Sequence, residues 1–243
     1  MIDFHAHILP GIDDGSRDRE ETGQLLEAEA EQGVEAVVAT PHFYAHHTTP
    51  GRFLEKRELS FQRLQEVRTR MKDEGGAPPE VLKAAEVFYF PGIGQAERLK
   101  DLTLEGTDLL LLEMPFCQWD AGVLEDVREI MDRQRLRVIL VHLERFYPIQ
   151  KKKDIWEEVL NLPVIIQLNT GSFLEWRGKR VCRKLMQSGL PVLLGTDCHN
   201  MKNRKPDMAE GRRALAKMLG EAAAERTEKL AGELLAGRLQ TGT

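Results

Sequence analysis

Seven short apolar runs recur along this chain, each followed by an amphipathic stretch: "IDFHAHI" (2–8), "EAVVATPHF" (35–43), "VLKAAEVFYF" (81–90), "TDLLLLEMPF" (107–116), "RVILVHLE" (137–144), "PVIIQLNTG" (163–171) and "PVLLGTDCH" (191–199). Strand-like runs alternating with helix-like segments are the signature of βα units around a parallel sheet, because parallel neighbours need a long crossover and a helix supplies it. Several runs are apolar at nearly every position, as strands are when both faces are covered. The stretches 17–32, 51–74, 121–135, 151–161 and 173–188 read as the crossover helices, and 206–219 and 221–236 as two more after the last strand. Seven strands favour a barrel over an open sheet.

A chain of 243 residues suits one such barrel, so a single domain over 1–243 is expected. No repeat or low-complexity linker divides it; "EGGAPPE" at 74–80 reads as a loop and the terminal "LQTGT" as a frayed end. With 42% hydrophobic and 30% charged residues the composition is that of an ordinary soluble protein, which sets aside the disordered class. There is no apolar run of about 18 residues and no signal-peptide start, so membrane insertion is not expected and the cytoplasm is the default location. A net charge of -5 gives no general attraction to nucleic acid. Cys117, Cys182 and Cys198 are odd in number and lack C-x-x-C spacing, against both a disulfide framework and a zinc ribbon.

The C-terminal ends of parallel strands converge on one face, and that face carries the site in α/β folds. Here the ends offer His5 and His7, His42, Glu86, Glu113, His142, Asn169, and Asp197 with His199, while Asp14 lies in the loop after the first strand. His5 and His7 stand two apart, as do Asp197 and His199, so on a strand each pair shares a face. A single buried histidine is ordinarily a hydrogen-bonded core residue, and a single glutamate an ion-pair partner. Histidines and carboxylates at nearly every strand end are poorly explained by packing, since burying a glutamate after "LLLL" needs a strong compensating charge. Five histidines and four carboxylates form the expected metal-ligand set: His5, His7, Asp14, His42, Glu86, Glu113, His142, Asp197 and His199. Nine N and O donors serve two to three divalent ions if carboxylates bridge. Three such ions against four carboxylates leave a net of about +2, suited to a phosphate dianion.

The motifs "FHAHILPGIDDG", "ATPHF", "EVFYFPG", "LLEMPF", "VHLERF", "QLNTGS" and "GTDCHN" resemble, in order and over nearly the whole chain, those of the polymerase and histidinol phosphatase (PHP) superfamily. Within it they are most similar to the bacterial protein-tyrosine phosphatases of capsule and exopolysaccharide operons. The resemblance implies a distorted (β/α)7 TIM-like barrel, the PHP fold, with a trinuclear metal centre, manganese by preference with iron or zinc as alternatives. It implies a partition in which His5, His7, Glu113 and Asp197 hold one ion, Glu86, Glu113 and His142 a second, and Asp14, His42, Glu86 and His199 a third. It also implies that Arg145 and Arg204 grip the phosphate, a bidentate contact lysine cannot reproduce. Leu143 and Phe146 depart from the family's proline and tyrosine, and the loop 43–54, "FYAHHTTPGRFL", has no clear counterpart.

The expected activity is metal-assisted phosphomonoester hydrolysis by an activated water, its substrate the phosphotyrosine tail of a bacterial tyrosine kinase. A phenol of pKa about 10 leaves with little acid assistance; a metal-bound water or His199 is the candidate acid. Only Cys198, in "CHNMKNR", meets the spacing of a cysteine phosphatase, without its glycine-rich anion loop. Histidinol-phosphate or another small phosphoester is the alternative substrate, and a non-catalytic metal-binding module the second alternative. A peptide site predicts aromatics on its rim, with Tyr44, Trp119, Phe146 and Trp176 as candidates and the core as their alternative place. The segment 51–74 and the two C-terminal helices leave oligomerisation open.

Overall fold

The structure, a computed structural model, describes residues 1–237; the terminal "LQTGT" lies outside the described residues. Among the described residues nine strands form: β1 (Ile2–Ala6), β2 (Ala36–Ala39), β3 (His42–Phe43), β4 (Glu80–Lys83), β5 (Glu86–Phe88), β6 (Leu109–Glu113), β7 (Arg137–Leu140), β8 (Ile165–Asn169) and β9 (Val192–Gly195). The α-helices of the described residues alternate with them: α1 (Arg19–Glu31), α2 (Pro50–Asp73), α3 (Ala121–Asp132), α4 (Lys153–Leu160), α5 (Trp176–Met186), α6 (Met208–Leu219) and α7 (Glu221–Ala236). Each expected strand and helix is present, with two expected strands broken in two. The second run divides at Thr40–Pro41, where proline has no N–H for a ladder, into β2 and β3; the third divides at Ala84–Ala85 into β4 and β5.

All pairings are parallel, in the orders β1-β2-β4 and β3-β5-β6-β7-β8-β9. Backbone bonds from Ala84 to Ala39 and from Glu86 to Pro41 carry the chain pairs across the breaks. At the far side β1 meets the end of β9 through one parallel bridge, Ala6 to Cys198, flanked by bonds from Asp197 N to His5 O and His7 N to Cys198 O. The two sheets are thus joined in the order of a seven-stranded α/β barrel, distorted where β2/β3 and β4/β5 split.

Helix starts follow from local chemistry. Asp18 accepts from the N–H groups of Glu20 and Glu21, Thr49 accepts from Arg52 ahead of Pro50, and Asp120 accepts from Val123. Two apolar layers result. Phe4, Val38, Leu82, Leu109, Leu111, Ile139, Ile165 and Leu193 fill one, joined by Ala231 and Leu234 of α7, while alternate strand residues such as Val37, Leu110, Leu112 and Leu140 meet the other helices. At about 25 cal/mol per Å², such burial drives the fold, and polar atoms collect where the inner layer ends.

Candidate metal centre

In β1 the alternation is interrupted. Its register against β2 shifts between Asp3 and Ala6, three residues against two. A bulge of this kind turns later side chains to the opposite face. Phe4 therefore lies in the inner apolar layer, yet His5 and His7 also face inward, with their Nε2 atoms 3.1 Å apart. Both are buried. Ser16 N returns to His7 O after the Asp13–Asp14 turn, and a Cβ on Gly15 would sit 2.3 Å from that carbonyl, so only glycine fits.

The other strands deliver their polar residues by register. His42 lies opposite Glu86 in the β3–β5 pair, and Glu113 opposite Phe88 in the β5–β6 pair. Gln167 and Asn169 continue the inward parity of Ile165 on β8. His142 and Asp197 follow β7 and β9 with φ of +32° and +54°. Left-handed backbone at two non-glycine residues is strained and clusters at functional sites.

Glu86 is the hub. Its Oε2 lies 3.4 Å from His5, 3.2 Å from His7 and 2.8 Å from His42, and its Oε1 accepts from His142 at 2.8 Å. Glu113 is 3.6 Å from His142. Asp14, exposed at the mouth, is 3.4 Å from His42 and 3.5 Å from His199. Asp197 Oδ1 is 3.7 Å from His5 and 3.5 Å from His7. The structure brings all nine candidate residues into one bowl, and among the described residues three of the four groups of ligand atoms that fall within 4.8 Å of one another are drawn from them: His7, Asp14, His42 and His199; His5, His7 and Glu86; His42, Glu86 and Glu113; the fourth, Asp3, Glu29 and Cys198, is not. This grouping differs from the partition the resemblance implies, since His7 stands with Asp14 and Glu113 with His42.

Hydrogen bonds orient three of the rings. Nδ1 of His7 meets Asp13 at 2.8 Å, Nδ1 of His5 meets Gln167 at 3.1 Å, and Nδ1 of His199 meets the Asp197 carbonyl at 2.9 Å. A proton on Nδ1 leaves the Nε2 lone pair free, and these Nε2 atoms point into the bowl. Nε2 of His199, Nδ1 of His42 and Oε2 of Glu86 are buried without a hydrogen-bond partner, although the last two are 2.8 Å apart. Converging lone pairs left without donors fit cations, and the donor set, imidazole nitrogen with carboxylate oxygen, fits divalent transition metals.

Protonation carries the same imprint. Burial favours neutral Glu86, but His5, His142 and His42 hold its carboxyl well below the usual range; burial likewise opposes charge on Asp197, yet His5 and Arg145 keep it low. His7 is raised well above an ordinary histidine, because Asp13 and Glu86 outweigh burial. Burial and neighbouring Glu86 push Glu113 up to about 7, and burial with the charge of His7 takes His199 down to about 4.

Arg145 and Arg204 both reach this site, at 2.6 and 2.7 Å from Asp197 Oδ2, where Asn169 also donates at 3.0 Å. Both guanidiniums are partly exposed at the mouth. The sequence reading missed Asp13, whose Oδ2 also accepts from His42 N, and Gln167, whose Oε1 joins His5 to the backbone N–H of His142. The doubled aspartate and the glutamine two before Asn169 were the only sequence signals for them. Of the proposed rim aromatics, Tyr44 stacks on His42 at 5.2 Å and Trp176 is 70% exposed. Trp119 and Phe146 are instead fully buried, Trp119 against Trp156 and Phe146 behind His142, because the strand-end loops fold back over the outer core.

Comparison with known proteins places this arrangement in context. Residues 1–231 match the family model described as capsular polysaccharide synthesis, CpsB/CapC. The chain is 24% identical over 234 residues to the Streptococcus agalactiae protein named tyrosine-protein phosphatase CpsB, covering 91% of this chain and 92% of that one. It is 26% identical over 226 residues to the Bacillus subtilis protein named tyrosine-protein phosphatase YwqE, covering 90% and 85%. Its fold matches a solved structure from the work on Bacillus subtilis YwqE and Streptococcus pneumoniae CpsB, described as unique metal-dependent tyrosine phosphatases, with a TM-score of 0.80, 24% identity and coverage of 98% and 95%.

Proposed function

The chain belongs to the capsular polysaccharide synthesis CpsB/CapC family, and from that premise we propose that it is a metal-dependent protein-tyrosine phosphatase. The observation that carries the reading is the convergence of Nε2 of His5, His7 and His199 with Oε2 of Glu86 beside two arginines on one carboxylate. His5, His7, Asp14, His42, Glu86, Glu113, His142, Asp197 and His199 would hold two to three divalent ions; mixed N and O donors accept manganese, iron and zinc alike, and the family resemblance favours manganese. When bound, such ions lower the pKa of water toward neutrality and offset phosphoryl charge.

The chain's own groups do the rest. Arg145 and Arg204 share Asp197 Oδ2, and an incoming phosphate offers each a stronger bidentate partner. Their charge then stabilises the transferring phosphoryl group. His199 is assigned to holding metal: its Nδ1 is tied to the Asp197 carbonyl, which turns Nε2 toward the bowl as a ligand. A tyrosine leaving group, with pKa about 10, needs little acid. Beside Asp14 and His42 opens a cavity of about 490 Å³ lined also by Tyr44, His47, Phe53 and Lys56. Its aromatic walls suit a phenyl ring better than the polar chain of an amino alcohol. Tyr44, His47, Thr48 and Phe53 of its lining come from the segment 43–54 that had no clear counterpart in sequence, the rest from the 12–14 turn, His42 and Lys56.

In this reading the protein acts in the cytoplasm, and its physiological substrate is the phosphorylated tail of a bacterial tyrosine kinase that controls capsule or exopolysaccharide synthesis. Among the described residues no helix is long and apolar enough to cross a membrane. The test compares hydrolysis of a phosphotyrosine peptide with that of histidinol phosphate, before and after chelation and with manganese restored. Peptide turnover lost to chelator and regained with manganese is expected. A strong preference for histidinol phosphate moves the substrate to small phosphoesters, and metal binding without turnover of either leaves a non-catalytic module.

A further inference from the structure

Helix α5 carries Arg177, Lys179, Arg180, Arg183 and Lys184 and no carboxylate, in a chain whose net charge is -5. The segment 145–153 adds Lys151, Lys152 and Lys153 to Arg145, again with no carboxylate. Among the described residues these eight Lys and Arg side chains other than Arg145 form no salt bridge, whereas Arg17, Arg98, Arg128, Arg137 and Arg212 all do. The five on α5, an unneutralised cluster on one helix of an acidic protein, are the complement of an anionic partner.

The cluster has a shape. A groove of about 340 Å³ runs between Tyr147–Pro148 and α5, lined by Trp176, Arg177, Arg180, Val181 and Lys184. Lys184 Nζ donates to the Tyr147 hydroxyl at 2.7 Å, and the Arg180 guanidinium lies 5.8 Å from the centre of the Trp176 ring. The indole is 70% exposed, beside cations that already stand over aromatic faces. The turn carrying Arg145 packs against α5, and Tyr147 follows Arg145 by two residues. Two residues of chain span at most about 7 Å, so the groove begins within a few residues' reach of the phosphate arginine.

We propose that this groove is a docking site for an acidic peptide segment flanking the reacting phosphotyrosine, with Arg177, Arg180 and Lys184 binding its carboxylates or phosphates and Trp176 covering its side chains. The proposal rests on the phosphatase reading for the reacting residue. A concave site with a tyrosine wall next to the arginine that faces the bowl favours a peptide over an anionic lipid surface, which a flat basic face would serve as well.

The experiment uses the full chain and the doubly substituted Arg180→Ala/Lys184→Ala protein, with Trp176→Ala as a separate variant. Turnover is measured for a phosphotyrosine peptide with flanking glutamates, the same peptide with serines in their place, and p-nitrophenyl phosphate. The expected result is a KM raised about tenfold for the acidic peptide alone, with p-nitrophenyl phosphate unchanged. Equal effects on both peptides, or no preference for glutamates in the parent protein, overturn the proposal. So does loss of binding to phosphatidylserine-containing vesicles with peptide preference intact, which marks a membrane surface instead. Anisotropy of a labelled acidic peptide carrying a non-hydrolysable phosphonate reads the groove directly. If no phosphoester is turned over, the phosphatase reading falls while binding that the double variant weakens keeps the groove; no binding sinks both.

Discussion

His7 Nδ1 and Asp13 Oδ2 are joined across 2.8 Å, and the same carboxylate oxygen accepts the backbone N–H of His42 at 3.0 Å. Asp13 thus fixes a ring on β1 and the start of β3 with one oxygen, while its neighbour Asp14 faces the bowl. Histidine ligands of this kind depend on the group behind them for tautomer and direction.

Asp13→Asn should keep the fold and lower metal affinity about 10–100-fold, the usual effect of losing a carboxylate behind a ligating histidine. Titration with manganese followed by calorimetry measures it. Unchanged affinity would show that His7 does not need the Asp13 charge.

Arg145→Lys and Arg204→Lys should each reduce kcat/KM for a phosphotyrosine peptide by about tenfold or more, because lysine keeps the charge but not the planar fork. Both guanidiniums share Asp197 Oδ2, so the double variant should fall short of the product of the two losses. Steady-state kinetics on the three proteins decides; a fully active Arg145→Lys protein would remove that residue from phosphate binding.

Cys198→Ala should leave activity within about twofold and cost about 1 kcal/mol of stability through the small cavity it opens. The thiol is fully buried, 3.9 Å from Glu29 Oε1, and burial with the charges of Glu29 and Asp3 pushes its pKa well up, so it is no nucleophile. Thermal unfolding and peptide turnover check the two halves separately.

Burial pushes the Asp207 carboxyl up to about 6, against the hydrogen bond it accepts from Thr170. A carboxyl raised in the folded state contributes stability that is present below its unfolded pKa near 4 and lost as pH rises through about 6. Asp207→Asn should therefore flatten the stability profile between pH 4 and 6 and be more stable than the parent at pH 7.5 by about 1–2 kcal/mol, allowing for the partial exposure of the group. Urea unfolding across that range reads it, and a parallel profile for the two proteins would contradict it.

Gly195→Ala should destabilise the chain by about 1–3 kcal/mol, since the added Cβ would meet His5 Cβ at 2.7 Å and Gln167 Nε2 at 2.8 Å with β1 backbone behind them. The loss should come with weaker metal binding, because His5 and its Gln167 partner are displaced together. A variant as stable as the parent would mean that β1 and β9 are free to separate.

Much of this was legible in the chain because the signals are local. The run "LLLLE" specified a strand covered on both faces and ended it in a carboxylate, and "HAH" and "TDCH" put paired candidate ligands at spacing two. The crossover helices were readable as stretches, though the caps that start them, Asp18, Thr49 and Asp120, were seen only in the structure. Less legible were Trp119 and Phe146, because a rim and a core aromatic look alike until the loop carrying them has folded. Asp13 was hidden in the pair "DD", where nothing in sequence says which carboxylate faces which histidine.

By itself the sequence determined the alternation of strands and helices and the kind of side chain at each strand end, because period and spacing act over a few residues. Tertiary structure alone decided which ligands share a neighbourhood. The bulge between Asp3 and Ala6 lets Phe4 and His5 both face inward, against strict alternation. Gln167 reaches His5 across 162 residues of chain, and two arginines 59 positions apart meet on one oxygen of Asp197. Those contacts depend on sheet register and ring order, which are set only when the strands pack together.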